Sequence, residues 1–99
     1  MIIRIVRMTF QHESVDTFLD IFNQSKSHIL GMSGCLSLEL WRDLQEPNVF
    51  VTHSHWESED ALNKYRGTEF FKDIWGQTKA LFTEKPIAFS VERVDTQIP

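Results

Sequence analysis

The sequence predicts a single α+β domain whose strands and helices follow the order β-α-β-β-α-β. Four segments alternate apolar and polar residues with the two-residue period of strands, and two regions follow the 3.6-residue period of amphipathic helices. Two right-handed crossovers in that order place both helical regions on one face of a four-stranded antiparallel sheet. This is the ferredoxin-like, split βαβ arrangement.

The four strands are predicted from β-branched and aromatic residues at alternating positions. Their predicted bounds are Ile2 to Phe10, Cys35 to Arg42, Asn48 to Trp56 and Ile87 to Val94. In the second strand we expect Leu36 to share a face with Leu38 and Leu40. In the third, one face carries Phe50, Thr52, Ser54 and Trp56, and the other carries Val49, Val51, His53 and His55.

Helix signals divide the remaining sequence into two helical regions. The first is predicted over 12–30, with Ser14 as a possible N-terminal cap. The second begins after Ser58, which is followed by two acidic residues that favour a helix N-terminus. Gly67 interrupts this region, and Thr68 can cap a second piece. We therefore expect the second helical region to be broken at Gly67.

Composition and charge limit the classes of function. The chain has 99 residues, so we expect one domain over 1–95 and a C-terminal tail over 96–99. The formal net charge of -4, with no cluster of basic residues, argues against nucleic acid as a partner. Charges interrupt the apolar N-terminus, so neither a signal peptide nor a membrane span is predicted. The single cysteine fits a reducing compartment, and we expect a cytoplasmic protein.

The predicted architecture leaves one face of the sheet without helices. Ile3, Ile5, Val49 and Val51 would lie on that face. An apolar sheet face of this size is seldom exposed to water in a monomer. We therefore predict a homodimer in which two copies cover each other's open faces.

Several segments resemble the antibiotic biosynthesis monooxygenase domain family. They are 34–43 (GCLSLELWRD), 47–51 (PNVFV), 56–62 (WESEDAL) and 70–72 (FFK), and the resemblance covers nearly the whole chain. It implies a dimeric α+β barrel with a pocket between the sheet and the helices of each subunit. Members of the family include oxygenases that act on quinols and polyketide phenols without metal or flavin, and also haem-degrading enzymes.

The chain departs from both enzymatic branches of the family that it resembles. Phenol-oxidising members carry an Asn four residues before the strand-three Trp, where this chain has Thr52. The haem-degrading branch uses an Asn, a Trp and an axial His at positions that correspond here to Val6, Tyr65 and Trp75. An indole cannot ligate iron, so we expect no haem. We also expect no other cofactor and no metal.

The candidate site combines aromatic side chains with a few polar ones. The predicted catalytic residues are Thr52, Trp56 and Tyr65, and the predicted substrate-binding residues are Arg4, Ser54, Phe71 and Trp75. Trp56 would stack on a planar substrate with its indole N–H available. The alternative for each aromatic residue is ordinary core packing. The alternative for Arg4 is a cross-strand ion pair with Glu39 or Glu92.

Two further features allow more than one interpretation. His53 and His55 could share a metal with a third ligand such as Glu39, or they could lie in the dimer interface. Cys35 could be a nucleophile or a small buried residue.

The function predicted from these residues is a cofactor-independent monooxygenase acting on a small phenolic or quinol-type molecule. Deprotonation of such a substrate gives an electron-rich phenolate that can donate an electron to oxygen. The protein would supply a dry aromatic cavity and donors for the oxyanion. The alternative is a dimeric protein of the same fold that binds a small aromatic ligand without oxygenase activity.

Overall fold

The computed structural model describes residues 1–97, and its elements follow the predicted order. The strands are β1 (Ile2–Thr9), β2 (Cys35–Arg42), β3 (Val49–Trp56) and β4 (Ile87–Val91). The helices are α1 (Val15–Leu30), α2 (Glu59–Arg66) and α3 (Glu69–Lys79). The sheet order is β2-β3-β1-β4 with every neighbouring pair antiparallel, which confirms the ferredoxin-like prediction.

Two elements, α1 and β4, are three residues shorter than predicted, and β1 and β3 are each shorter by one residue. A 3₁₀ turn, His12–Ser14, precedes α1, and the Ser14 side chain makes no capping bond because its backbone is already helical (φ -101°, ψ -1°). β4 ends at Val91 rather than Val94, since Val91 pairs with Ile3 and almost no β1 backbone remains beyond that point. The last two residues of the predicted tail lie outside the described residues.

The break in the second helical region is confirmed. Ser58 Oγ accepts a hydrogen bond from Ala61 N at 3.1 Å and caps α2. α2 ends at Gly67, and Thr68 Oγ1 accepts from Phe71 N at 3.1 Å to cap α3. The same hydroxyl donates to the Tyr65 carbonyl at 2.7 Å, so Thr68 joins the end of one helix to the start of the next.

A β-bulge at the start of β2 corrects one facing prediction. Cys35 pairs with Trp56 and Ser37 pairs with His55, so Leu36 is an extra residue in the ladder. Leu36 is consequently 50% exposed instead of sharing a face with Leu38. Cys35 is only half-buried, but it packs against the core beneath the helices and burial raises the pKa of its thiol, which favours packing over a nucleophilic role.

Gly34, the residue before β2, has a backbone conformation and a close contact that favour glycine at this position. Its φ of +85° is a conformation that side chains rarely adopt, and an added Cβ would lie 2.5 Å from Ala61 Cβ. The Gly34 carbonyl accepts a hydrogen bond from Glu57 N at 2.8 Å. The start of β2 is therefore held tightly against the start of α2.

All three helices pack on one side of the sheet, here called the inner face. One buried cluster contains Met8, Phe10, Phe18 and Phe50, and a second contains Ile29, Trp56, Leu62 and Tyr65. Each cluster joins strand residues of the inner face to helix residues. Burial of these side chains is the main force that holds the two layers together.

The opposite side of the sheet, here called the open face, carries no helix. Ile3 and Val49, which we expected to be exposed there, are only 8% and 1% exposed, because they lie on the two central strands between neighbouring side chains. The exposed apolar residues of this face are on the edge strands instead. They are Trp41 on β2 and Ile87, Phe89 and Val91 on β4.

Candidate functional site

A cavity of about 230 Å³ lies between the inner face and the helices. All seven residues predicted for the site line it: Arg4, Thr52, Ser54, Trp56, Tyr65, Phe71 and Trp75. They come from β1, β3, α2 and α3, so the fold brings together positions that are far apart in the sequence. Their catalytic and binding roles remain predictions.

Trp56 forms a rigid wall of the cavity. Its side chain is 1% exposed, and its Nε1 donates a hydrogen bond to Ser54 Oγ at 3.0 Å. Both side chains project from the inner face because they are two residues apart on β3. The indole N–H is therefore engaged within the protein, and the expectation that it is free for a substrate is wrong.

Tyr65 continues the aromatic wall from the helix side. Its ring stacks on Trp56 with centroids 5.1 Å apart and an interplanar angle of 22°, and it meets Phe71 edge-on at 5.2 Å. Burial, with a smaller contribution from Cys35, raises the pKa of Tyr65 to about 12. The hydroxyl therefore stays protonated at neutral pH, where it can donate a hydrogen bond but cannot act as a base.

Phe71, Trp75 and Thr52 complete the predicted set. The rings of Phe71 and Trp75 are stacked with centroids 6.1 Å apart, one turn apart along α3. Thr52 lies at the middle of β3, in register with Val6 on one side and Leu40 on the other. Its hydroxyl is a polar group on an otherwise apolar part of the sheet.

Arg4 reaches the cavity from the centre of the sheet. Its Nη1 donates to Ser90 Oγ at 3.3 Å. An ion pair with Glu39 is excluded, because Glu39 pairs in register with His53 on the open face. Within residues 1–97 the ion pairs involve Arg7 with Glu46 and Lys72 with Glu69, so Arg4 has no carboxylate partner there.

Sequence reasoning missed Arg66, which also lines the cavity. It is the last residue of α2, where a basic side chain is ordinarily explained by the helix dipole. Burial lowers the pKa of Arg4, and the positive charge of Arg66 lowers it further. The two arginines line the same cavity and both carry a positive charge.

Sequence reasoning also gave α1 no part in the site. This helix contributes an apolar stripe to the cavity, consisting of Phe18, Ile21, Phe22 and Ile29, together with Ser25. The Ser25 hydroxyl donates back to the Ile21 carbonyl at 2.7 Å, so it adds little polarity. The helical period could have identified the stripe but not which of its members border a void.

The lining is apolar with two positive charges. Arg4 and Arg66 are its charged members, and among residues 1–97 no Asp, Glu, His or Lys side chain lines it. Candidate donors are the hydroxyls of Thr52, Ser54 and Tyr65. This arrangement can hold an apolar ring and stabilise an anion, but it offers no carboxylate or imidazole as a general base.

The two histidines lie on the open face, away from the cavity. His53 stacks on Trp41 with ring centroids 4.4 Å apart and lies 4.8 Å from His55. Nδ1 of His53 and Nε2 of His55 are buried without a hydrogen-bond partner in the described chain. Across residues 1–97, no group of three His, Cys, Asp or Glu side chains is placed to bind a metal.

A four-stranded antiparallel sheet, helices on one face and a cavity between the layers define a ferredoxin-like α+β domain with an internal pocket. The chain belongs to the antibiotic biosynthesis monooxygenase family, whose sequence profile matches residues 1–76. A search of curated proteins finds no match. Over the described part of the chain, no helix is long and apolar enough to cross a lipid bilayer.

Solved structures share this fold at low sequence identity. The chain is similar to a protein described as an antibiotic biosynthesis monooxygenase (TM-score 0.89, 21% identity, covering 96% of this chain and 100% of that one). It is also similar to Rv0793 of Mycobacterium tuberculosis (0.87, 17%, 96% of each chain). A conserved protein of Methanosarcina mazei Go1 is a third example (0.87, 18%, 94% of this chain and 93% of that one). At these identities the similarity concerns the fold.

Proposed function

We propose that the protein is a cofactor-independent monooxygenase that oxidises a small phenolic or quinol-type substrate in the cavity beside Trp56. The observation that carries this proposal is a largely apolar cavity with aromatic walls and with hydroxyl donors and guanidinium groups in its lining. Membership of the antibiotic biosynthesis monooxygenase family supports the reaction class.

The size of the cavity favours a substrate with one substituted ring. An apolar cavity of about 150 Å³ holds one benzene molecule. The cavity here is about 230 Å³, which leaves room for substituents on such a ring. The stacked Trp56 and Tyr65 rings and the edge of Phe71 offer it flat apolar contacts.

The proposed reaction needs no external reductant. Arg4 and Arg66 favour ionisation of a bound phenol, and its proton leaves to water because no lining side chain can accept it. The phenolate transfers an electron to O₂, and the phenoxyl radical and superoxide combine to form a carbon–oxygen bond. Loss of water from the resulting peroxide gives a quinone, so one oxygen atom enters the product and the other leaves as water. Thr52 and Tyr65 donate hydrogen bonds to the oxyanions.

Oxygen consumption tests this proposal. The purified protein, in buffer treated with a chelator, should consume O₂ in proportion to quinone formed from members of a panel of simple phenols and quinols. Tyr65→Phe and Thr52→Val should each lower kcat by about tenfold or more, because each removes a proposed hydrogen-bond donor to the oxyanion. Thr17→Val, at an exposed position of α1, is the matched control and should leave kcat unchanged. No oxygen uptake across the panel would contradict the proposal.

A specific observation favours a second candidate function, a ligand-binding protein without oxygenase activity. The lining offers no carboxylate or imidazole base, and the raised pKa of Tyr65 removes the phenol as one. A cavity of this kind can bind an aromatic anion without activating it. Saturable binding of a phenol with no oxygen uptake would favour this candidate over the first.

We also propose that two copies of the chain pair through their open faces. Trp41, Ile87, Phe89 and Val91 are each between 43% and 53% exposed on this face. The partly buried rings of His53 and His55 lie between these two groups of exposed side chains, in the centre of the same face. A second copy would thus bury a continuous, largely apolar surface.

A further inference from the structure

We propose that the natural ligand of the cavity is an aromatic carboxylic acid whose carboxylate is held by Arg4 and Arg66. This inference rests on the proposed function in one respect, because it takes the cavity to be the ligand site. It goes further by naming the chemical group that the ligand must carry besides its ring, and in a ligand with both groups the arginines hold the carboxylate and not the phenolate.

The two arginines approach the cavity from opposite layers of the fold. Arg4 is on the central strand β1, in register with Ser54 of β3 and Ser90 of β4. Arg66 is the last residue of α2, adjacent in sequence to the wall residue Tyr65. Both line the same cavity, which brings a donor from the sheet and a donor from the helices into one site.

Without a ligand, this arrangement lacks a compensating charge. Within residues 1–97 neither arginine forms an ion pair, and no carboxylate lines the cavity. An arginine stays protonated even when partly buried, so the like charges are not removed by loss of a proton. The lowered pKa of Arg4 reports the same unfavourable surroundings, first from burial and then from Arg66. A bound anion would offset both the lost hydration of Arg4 and the repulsion between the two arginines.

The remainder of the lining selects the kind of anion. A guanidinium group matches a planar carboxylate through two parallel hydrogen bonds. Beyond the arginines, the hydrogen-bond donors in the lining are a few hydroxyl groups. The Ser54 hydroxyl is already engaged, because it accepts a hydrogen bond from Trp56. The walls are otherwise aromatic and aliphatic, which suits a ring with one compact anionic group better than a highly charged phosphate ester.

A comparison of acids with their neutral amides tests the inference directly. Isothermal titration calorimetry of the intact protein at low salt would measure benzoate and 2-naphthoate against benzamide and 2-naphthamide. At least one acid should bind at least tenfold more tightly than its amide. Added salt should reduce this ratio of the two dissociation constants. Equal affinities of each acid and its amide, or no binding of either acid, would overturn the proposal.

Substitutions then locate the carboxylate. Arg66→Gln and Arg4→Gln should each weaken binding of the preferred acid about tenfold or more and leave its amide almost unaffected. Lys64→Gln is the control on α2 and Arg7→Gln the control on β1, since both residues lie outside the cavity lining. Arg66 is exposed, so its substitution does not threaten folding. Unchanged preference for the acid in both Arg4 and Arg66 variants would overturn the proposal.

These binding measurements are independent of turnover. Benzoate and 2-naphthoate lack the phenolic hydroxyl that the proposed oxidation requires, so their binding does not depend on reaction with O₂. Acid-selective binding without oxygen uptake from any phenol would uphold the carboxylate site and reject the oxygenase. Oxygen uptake by the protein without acid-selective binding would reject the carboxylate site and uphold the oxygenase.

Discussion

At the scale of single residues, one buried hydrogen bond sets the geometry of the cavity wall. Ser54 is 7% exposed and Trp56 is 1% exposed, and the indole N–H has Ser54 Oγ as its acceptor. A donor left unpaired in such surroundings loses its hydration without compensation. The pair therefore fixes the orientation of the largest fully buried side chain of the chain's described part.

Removing the acceptor should be costly. We predict that Ser54→Ala lowers the free energy of unfolding by about 1–3 kcal/mol, because it leaves the Trp56 N–H unsatisfied. Ser33→Ala, at an exposed position in the turn before β2, should change it by less than about 0.5 kcal/mol. Urea unfolding followed by fluorescence measures both variants, and equal effects of the two substitutions would contradict the prediction.

We expect the stability of the fold to depend on pH through His55, which lies on the open face. Burial lowers its pKa below 6.5, His53 and Arg93 lower it further, and Glu39 acts in the opposite direction. The unfolded chain therefore binds a proton at this residue at higher pH than the folded chain does. We predict that stability is complete above the unfolded pKa and is lost as pH falls from there through the lower folded pKa.

Unfolding by urea between about pH 7.5 and 5, at one protein concentration, measures this dependence. His55→Gln should reduce the loss of stability toward low pH, because the titrating group is removed. His12→Gln, in the exposed turn before α1, serves as the control and should retain the loss seen in the parent protein. A parent profile that is flat across this range would contradict the prediction.

At the scale of elements, capping distinguishes the helices. Ser58 and Thr68 accept hydrogen bonds from the first turns of α2 and α3, whereas Ser14 makes no such bond to α1. α1 is 16 residues long and is held by its packed apolar face, while α2 has only 8 residues. Short helices depend more on their caps and on tertiary contacts.

The caps predict a ranking of substitutions. Ser58→Ala and Thr68→Ala should each cost about 1 kcal/mol of stability, because each leaves a backbone N–H without its partner. Ser14→Ala should cost no more than a few tenths of a kcal/mol, since no side-chain bond is lost. Chemical denaturation measures all three. A loss at Ser14 as large as those at Ser58 and Thr68 would contradict this ranking.

At the scale of the whole molecule, the open face is the surface through which we propose that two copies pair. Its exposed apolar residues lie on both edge strands, and its centre holds the two histidines with unpartnered nitrogens. A small domain buries only roughly two-thirds of the surface of its unfolded chain, so added burial at an interface contributes substantially to its stability. Pairing of two open faces would supply that burial.

A single charge should disrupt this pairing. We predict a dimer mass by light scattering at micromolar concentration and a monomer mass for Phe89→Glu, because Phe89 is 45% exposed on the open face. Leu44→Glu, in the hairpin loop and fully exposed, should remain dimeric. A monomer mass for the parent protein would refute the proposed dimer.

The sequence by itself determined the order of elements, the antiparallel sheet, the broken helix at Gly67 and the face on which the site residues lie. These features follow from local periods and caps, which each segment carries without reference to its neighbours. Alternation along β3 alone put Thr52, Ser54 and Trp56 on one face, and the structure finds all three beside the cavity.

Only the tertiary structure decided the remaining features of the site and its surroundings. The bulge at Leu36 depends on how β2 pairs with β3, and the end of β4 depends on where β1 begins. The bond from Trp56 to Ser54 and the shared lining of one cavity by Arg4 and Arg66 depend on how the layers pack. The sequence could not predict these features, because the period of a strand or helix gives the direction of a side chain but not which group it will meet.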